Sequence, residues 1–337
     1  MTVILHLDPL APDGEAIERA ASVIRKGGLV AFPTETVYGL GADATNEQAI
    51  LGIFQAKGRP ADNPLIVHIS NSEMLARVAE NVSENTTGLI EEFWPGPLTL
   101  VLKRGREVAP SVSAGLDTVA VRMPQSNIAL ELIRRSRVPI AAPSANLSGR
   151  PSPTRANHVE RDLLGRIDMI LDGGETKIGI ESTVLDMTSE PPLILRPGWI
   201  TREQIAEVIG DVATAVSEDE LKRSPGTRHR HYSPNARVIL MEQATRELIE
   251  ETCRRHLEDG PVAFLGHSRI DINNADFHSL ILESSAEDYA HSIYSALREL
   301  DAKRPQVIII EGINEAGEGA AVMDRLRRAA SEIIVTN

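Results

Sequence analysis

The sequence predicts an α/β protein in two parts: a larger domain on a twisted, mixed sheet, then a smaller, doubly wound domain. Three observations carry this reading. Short apolar runs alternate with amphipathic stretches of helical period up to residue 212, but not strictly, which favours a mixed sheet over a wholly parallel one. Between residues 212 and 235 the apolar periodicity disappears. From residue 236 it resumes in the order β-α-β, then α-β-α, which suggests a doubly wound unit. A chain of 337 residues is long for one core and suits this division. We therefore expect domains at 1–212 and 236–337, with a linker or lid at 213–235.

The elements follow in order. Asp13 can cap a helix reaching Lys26, with Ile17, Ala20, Ala21 and Ile24 on one face and Gly27 and Gly28 to stop it. Residues 29–32 read as a buried strand that runs into the stretch 33–41, to which no element is assigned. Asn46 can cap the next helix, which ends near Lys57 and Gly58. Residues 65–69, 98–102, 118–122 and 139–142 read as strands, with helices at 126–136 and 156–164. Further strands are expected at 169–171, 183–187 and 193–195. In the second domain we expect strands at 238–240, 262–265 and 307–310, and helices at 245–257, 285–300 and 324–330. The run Val307, Ile308, Ile309, Ile310 is apolar throughout, as a strand buried on both faces requires.

Composition narrows the function. The formal net charge of -13 and an aromatic content of 3% disfavour a surface that grips nucleic acid, which needs basic tracts and stacking rings. One cysteine, Cys253, excludes an intramolecular disulfide and a Cys-rich zinc site. No apolar run approaches the roughly 18 residues of a membrane span, and no secretory leader is visible, so a cytoplasmic protein is expected. No P-loop, dinucleotide fingerprint, His-Glu-x-x-His or Gly-x-Ser-x-Gly pattern is present.

Polar clusters stand instead at strand ends and turns. Pro33, Thr34, Glu35 and Thr36 follow a strand directly. Lys57, Arg59 and Asn63 share a turn rich in Gly and Pro that can present cations to phosphates; a solvated helix end is the competing reading. Arg122 ends an apolar strand, where it can hold a carboxylate with two bonds or form a surface ion pair. Residues 141–149 are a run of small hydroxyl and amide side chains after a strand, either a ligand-approaching loop or a plain turn. Ser182 and Arg196 lie at two more strand borders. In the linker, His229 and His231 are too few to argue for a metal, and a basic, aromatic flap over an anionic substrate fits better.

Together these stretches resemble the YrdC-like threonylcarbamoyl-adenylate synthases, in the long two-domain form. The carriers are Phe-Pro-Thr-Glu-Thr-Val-Tyr-Gly-Leu-Gly (32–41), Lys-Gly-Arg-Pro-x-x-Asn-Pro-Leu (57–65), Ala-Pro-Ser-Ala-Asn-x-Ser-Gly (142–149), Glu-Ser-Thr-Val (181–184) and Leu-Arg-Pro-Gly (195–198). The resemblance implies a YrdC-like catalytic domain and a Rossmann-like C-terminal domain. It implies an enzyme that joins L-threonine, bicarbonate and ATP, with Mg²⁺ on the phosphates. It also implies a downstream tRNA threonylcarbamoyl transferase that receives the product. Carried over by position, the threonine site comprises Thr36, His68, Arg122, Ala142 and Ser182. The nucleotide site comprises Lys57, Arg59, Asn63, Thr118, Ser144, Ser152, Arg196 and Tyr232. No general base is assigned. The alternative of another class is an RNA-binding or ribosome-associated protein that uses the cavity as a platform.

Overall fold

The computed structural model describes residues 1–221 and 232–336, which divide into two units. The first comprises residues 1–148 with 152–221, and the second comprises 149–151 with 232–336. Residues 222–231 of the expected linker, including His229 and His231, lie outside the described residues.

The first unit is built on one mixed sheet. Its strand order is Val3–His6, Met169–Asp172, Val30–Pro33, Tyr38–Asp43, Ile140–Ala141, Ile66–His68, Thr118–Arg122, Leu98–Arg104, Thr183–Asp186, Leu193–Arg196 and Ala213–Thr214. Ala79–Glu80 pairs with the far end of Leu98–Arg104. Helices cover it where the caps and periodicity indicated. Asp13 accepts from Ala16 N to start Gly14–Arg25, which buries Ile17, Ala20, Ala21 and Ile24. Asn46 caps Glu47–Lys57, and Gly58 ends that helix in the left-handed region at φ 60°. Ser126 caps Asn127–Ser136, which packs along Gly14–Arg25.

Some elements differ from the sequence reading. The stretch after Pro33, left without an element in the sequence, contains a strand, Tyr38–Asp43, buried along its whole length. Three helices, Ser72–Val78, Glu84–Phe93 and Arg202–Ile209, went unread in the sequence. Ala213–Thr214 forms the edge strand of the sheet and Glu218–Leu221 a short helix, so the first unit continues past residue 212.

The second unit is a five-stranded sheet in the order Phe277–Ile281, Val262–Gly266, Val307–Glu311, Arg237–Glu242 and Glu332–Val335. Every pairing is parallel. Ile239, Met241, Phe264 and Ile309 pack with Ile249 and Cys253 of helix Arg246–Leu257 on one face. The alternate residues Val238, Leu240, Ala263, Leu265, Ile308 and Ile310 are buried too, so both faces are covered, as a doubly wound sheet requires. The helices Ala286–Ala302 and Gly319–Ala329 contact strands of this sheet and each other.

Candidate active site

Five strands of the first unit bring their ends to one edge of the sheet. Ile66–His68 and Thr118–Arg122 run parallel, with His68 opposite Arg122. Leu98–Arg104 runs antiparallel to the second of these, so it begins where Arg122 ends. Thr183–Asp186 starts level with it, Thr183 opposite Leu98, and Leu193–Arg196 finishes there, Arg196 opposite Val184. This register gathers His68, Arg122, Ser182 and Arg196 from distant parts of the sequence.

Thr36 is delivered by a hairpin. Val30–Pro33 and Tyr38–Asp43 are antiparallel, Pro33 opposite Tyr38. Thr34 closes the loop between them: its hydroxyl donates to Val37 O at 2.7 Å and accepts from the backbone N–H of Thr36 and Val37. With that proton spent, the 2.8 Å contact between the two threonine hydroxyls is donated by Thr36. Gly41 lets the neighbouring strands close on the hairpin. A Cβ there would stand 2.7 Å from Phe32 Cε1 and 2.8 Å from Ile140 Cγ2.

Arg122 is gripped from three sides. Its Nε donates to Gly96 O at 3.1 Å and its Nη1 to Thr36 Oγ1 at 2.9 Å. Its Nη2 lies 2.6 Å from Glu35 Oε1, and the two side chains are 4% and 2% exposed. The pair neutralises a charge that burial would otherwise penalise heavily. It is close but poorly directed, because neither Glu35 oxygen takes a well-aligned hydrogen bond from any described residue. Beside Arg122, the His68 ring meets Phe32 edge-on at 6.0 Å. Burial, then the Arg122 charge, lower its pKa from 6.5 to about 3, so this imidazole is neutral at physiological pH.

Ser182 is tied into the same edge. Its hydroxyl exchanges a 2.7 Å hydrogen bond with Thr99 Oγ1, and Arg196 Nη2 donates to it at 3.2 Å. Arg196 also donates to Ser182 O from Nε and Nη2, at 3.1 and 2.9 Å. Gly198 runs hard against this peptide: a Cβ would come within 2.1 Å of Thr183 N. Ser152 donates to Glu181 Oε1 at 2.5 Å, which links it to the residue before Ser182.

The loop after Ile140–Ala141 is held by Lys57. This lysine is buried, and its Nζ donates to Ser144 O and Asn146 O, each at 2.5 Å. Ser148 N returns a bond to Lys57 O, and Ser144 Oγ donates to Asn146 Oδ1 at 2.6 Å. Ala142 N bonds Ile66 O, which fixes the start of the loop beside the His68 strand. Arg59 Nη2 reaches Pro64 O at 3.3 Å, within the turn that contains the buried Asn63.

Thus Thr36, His68 and Arg122 form one cluster, Ser182, Arg196 and Ser152 a second, and Ala142 and Ser144 lie on a loop that Lys57 holds from the end of its helix. Thr118 stands at the opposite end of its strand from Arg122, about 13 Å away by strand rise. Tyr232 belongs to the second unit. It adopts φ 66°, stacks on Tyr294 at 5.4 Å, and has Arg325 over its ring at 5.7 Å. Two participants escaped the sequence reading. Glu35 was visible inside the long motif but carried no assigned role, and Thr99 has no local signal at all.

Among the described residues no group of three or more His, Cys, Asp or Glu could hold a metal ion, and no helix is long and apolar enough to cross a membrane. The fold and this edge define an α/β protein with a buried, guanidinium-centred site framed by hydroxyls and a neutral imidazole. Residues 22–198 match the Sua5, YciO and YrdC family model, described as Telomere recombination, and residues 200–331 match that described as Threonylcarbamoyl-AMP synthase, C-terminal domain. The chain belongs to this family, in its two-domain form.

It is 47% identical over 343 residues to a Threonylcarbamoyl-AMP synthase of Pyrococcus abyssi, covering 99% of each chain. It is 44% identical over 335 residues to one of Bacillus subtilis, covering 97% of this chain and 96% of that one. The crystal structure of the P. abyssi Sua5 protein complexed with L-threonine superposes with a TM-score of 0.95 at 46% identity, over all of both chains.

Proposed function

We propose that this chain is an L-threonylcarbamoyladenylate synthase, converting L-threonine, bicarbonate and ATP to threonylcarbamoyl-AMP, pyrophosphate and water. The observation that carries the proposal is the Arg122 fork, pre-aimed at the sheet edge beside Thr36 and His68. A planar guanidinium suits the carboxylate of an amino acid. The neutral His68 adds no charge to repel the substrate ammonium.

In this reading Thr36, His68, Arg122, Ala142 and Ser182 receive threonine. Lys57, Arg59, Asn63, Thr118, Ser144, Ser152, Arg196 and Tyr232 serve the nucleotide, with Lys57 acting through the loop that carries Ser144. The first unit, which continues past residue 212, serves as the catalytic domain, the rest of the stretch to 235 as a lid, and 236–337 as a Rossmann-like domain. The site's hydroxyl, amide and guanidinium groups fit a Mg²⁺ held by phosphate oxygens rather than by a protein cage, and the ion would neutralise charge there. The chain's own contribution is positioning and the exclusion of water from a labile mixed anhydride. The N-carboxylate of threonine attacks the α-phosphorus and pyrophosphate leaves. A cytoplasmic enzyme of this kind hands its product to a separate tRNA threonylcarbamoyl transferase.

Mass spectrometry of reactions that omit threonine, bicarbonate or ATP in turn tests the activity, and each omission should abolish the threonylcarbamoyl-AMP mass. Arg122→Ala removes a charge-assisted contact of about 1.5–3 kcal/mol, so threonine affinity should fall about tenfold or more. Threonine dependence unchanged in that variant would rule out the assignment.

A further inference from the structure

The assigned residues leave one chemical need unmet. Threonine reaches a neutral solution as an ammonium zwitterion, and its nitrogen attacks carbon only after losing a proton. The Glu35 carboxylate meets that need. It is buried, it adjoins both Arg122 and Thr36 in the threonine site proposed above, and its oxygens carry no well-directed hydrogen bond from any described residue. A carboxylate held only to balance charge would be expected to take the guanidinium's parallel N–H bonds, as the fork geometry allows. This one stands at contact distance but out of line, with acceptor capacity unspent.

We propose that Glu35 is the proton acceptor for the threonine ammonium. The proposal rests on Arg122 receiving the threonine carboxylate. On binding, that carboxylate takes the guanidinium and the substrate ammonium replaces Arg122 as the charge facing Glu35. One N–H bond of the ammonium breaks, its proton passes to a Glu35 oxygen, and the electron pair stays on nitrogen. The free amine then attacks the carbon of bicarbonate, giving the N-carboxylate and water. Counter-ion exchange thus couples occupancy to basicity: the carboxylate is neutralised by Arg122 in the empty site and competes for a proton once substrate has claimed the arginine. Among the described residues the charge in contact with it is Arg122, and His68, opposite Arg122 on the adjoining strand, is neutral and does not vary across the working pH range.

The test is Glu35→Gln, which keeps size and removes basicity. L-threonine binding is measured by calorimetry and turnover by pyrophosphate release at saturating bicarbonate, from about pH 6.5 to about 9.5. Threonine binding should stay within about threefold of wild type or tighten, because Arg122 loses its competitor. Turnover at pH 7 should fall at least about thirtyfold and recover by about tenfold per pH unit, as the free-amine fraction of threonine rises in solution. Glu35→Asp, which retains a carboxylate, should restore part of the rate and flatten the pH dependence. It also carries the test if the Gln variant does not fold. Turnover within threefold of wild type, a loss equal at every pH, or loss of threonine binding would each overturn the proposal. Arg122→Ala separates the two layers: unchanged threonine binding there sinks the site assignment itself, whereas a silent Glu35 beside a sensitive Arg122 sinks only the proton step.

Discussion

Gly198→Ala tests whether the Leu-Arg-Pro-Gly motif serves the site by steric necessity. The added Cβ would lie 2.1 Å from Thr183 N, 2.4 Å from Ser182 C and 2.7 Å from Thr183 Cα. All three are backbone atoms, so no rotamer change relieves the overlap. Restoring even a 3.0 Å contact requires the two segments to part by roughly 1 Å. That movement works directly on the bonds from Arg196 to Ser182 O and from Thr183 Oγ1 to Ile200 O. Overpacking costs about 1–3 kcal/mol, and contacts that are all backbone belong at the upper end. For a unit of this size about 3 kcal/mol lowers Tm by roughly 6–12 °C. Because Ser182 moves with the strand, the KM for threonine should rise as well.

Thermal melts read the first effect and pyrophosphate release the second. Gly52→Ala is the matched control, since its Cβ would meet only Leu29 side-chain atoms, the nearest at 3.7 Å, inside helix Glu47–Lys57. There the same substitution should stabilise by about 0.4–1 kcal/mol. A Gly198→Ala protein that melts within about 2 °C of wild type would refute the steric reasoning.

Three further outcomes follow from the site. The folded pKa of His68 is depressed from 6.5 to about 3, so the unfolded chain takes up its proton first as the pH falls. This contribution to stability is fully present above about pH 6.5 and declines by about 1.4 kcal/mol per pH unit below it. The stability gap between wild type and His68→Asn should therefore narrow by about 2 kcal/mol from pH 7 to pH 5 in urea titrations, and parallel curves would contradict it. Lys57→Met keeps the stem but strips Ser144 O and Asn146 O of a donor. A loss of about 2–4 kcal/mol and weaker ATP binding are expected, and a urea midpoint like that of wild type would dismiss the loop-holding role. Thr99→Val removes one partner of the Ser182 hydroxyl and should raise the threonine KM about fivefold, for about 1 kcal/mol. A larger effect on ATP than on threonine would move Ser182 to the nucleotide.

How far the sequence reveals this molecule depends on how local each cause is. Asp13 and Asn46 cap helices where the sequence placed them, and the helices read from 126, 245 and 285 begin just after those residues, which serve as their caps, because a cap bonds an N–H only two or three residues away. Val307–Glu311 was equally plain, since a strand covered on both faces is apolar throughout. Edge strands were not. Phe277–Ile281 and Glu332–Val335 bury only part of each residue, and their register exists only against neighbours. Tyr38–Asp43 was hidden because Gly39 and Gly41 look like turn residues, while the strand Val30–Pro33 that pairs with them is what makes them extended. The site divides in the same way. The motif residues announce themselves, but Thr99 meets Ser182 across 83 positions of sequence and has nothing local to mark it.

Motif membership also says little about what a cation is for. Lys57 and Arg196 both direct donors to main-chain carbonyls, Lys57 to Ser144 and Asn146, and Arg196 to Ser182. Their charge fixes the loops on which hydroxyls and amides are displayed, and losing either should disturb geometry first. One of the three contacts of Arg122 is an anion, which a substrate carboxylate can exchange for its own. An arginine free in solution loses up to about 2 kcal/mol of side-chain entropy when a ligand orders it. Here Gly96 O and Thr36 Oγ1 already hold the Nε and Nη1 edges, so that loss is incurred in folding and not in binding. The same two bonds persist whichever carboxylate occupies Nη2. The site therefore exchanges one anion for another without moving its arginine, the condition under which Glu35 alone changes partner.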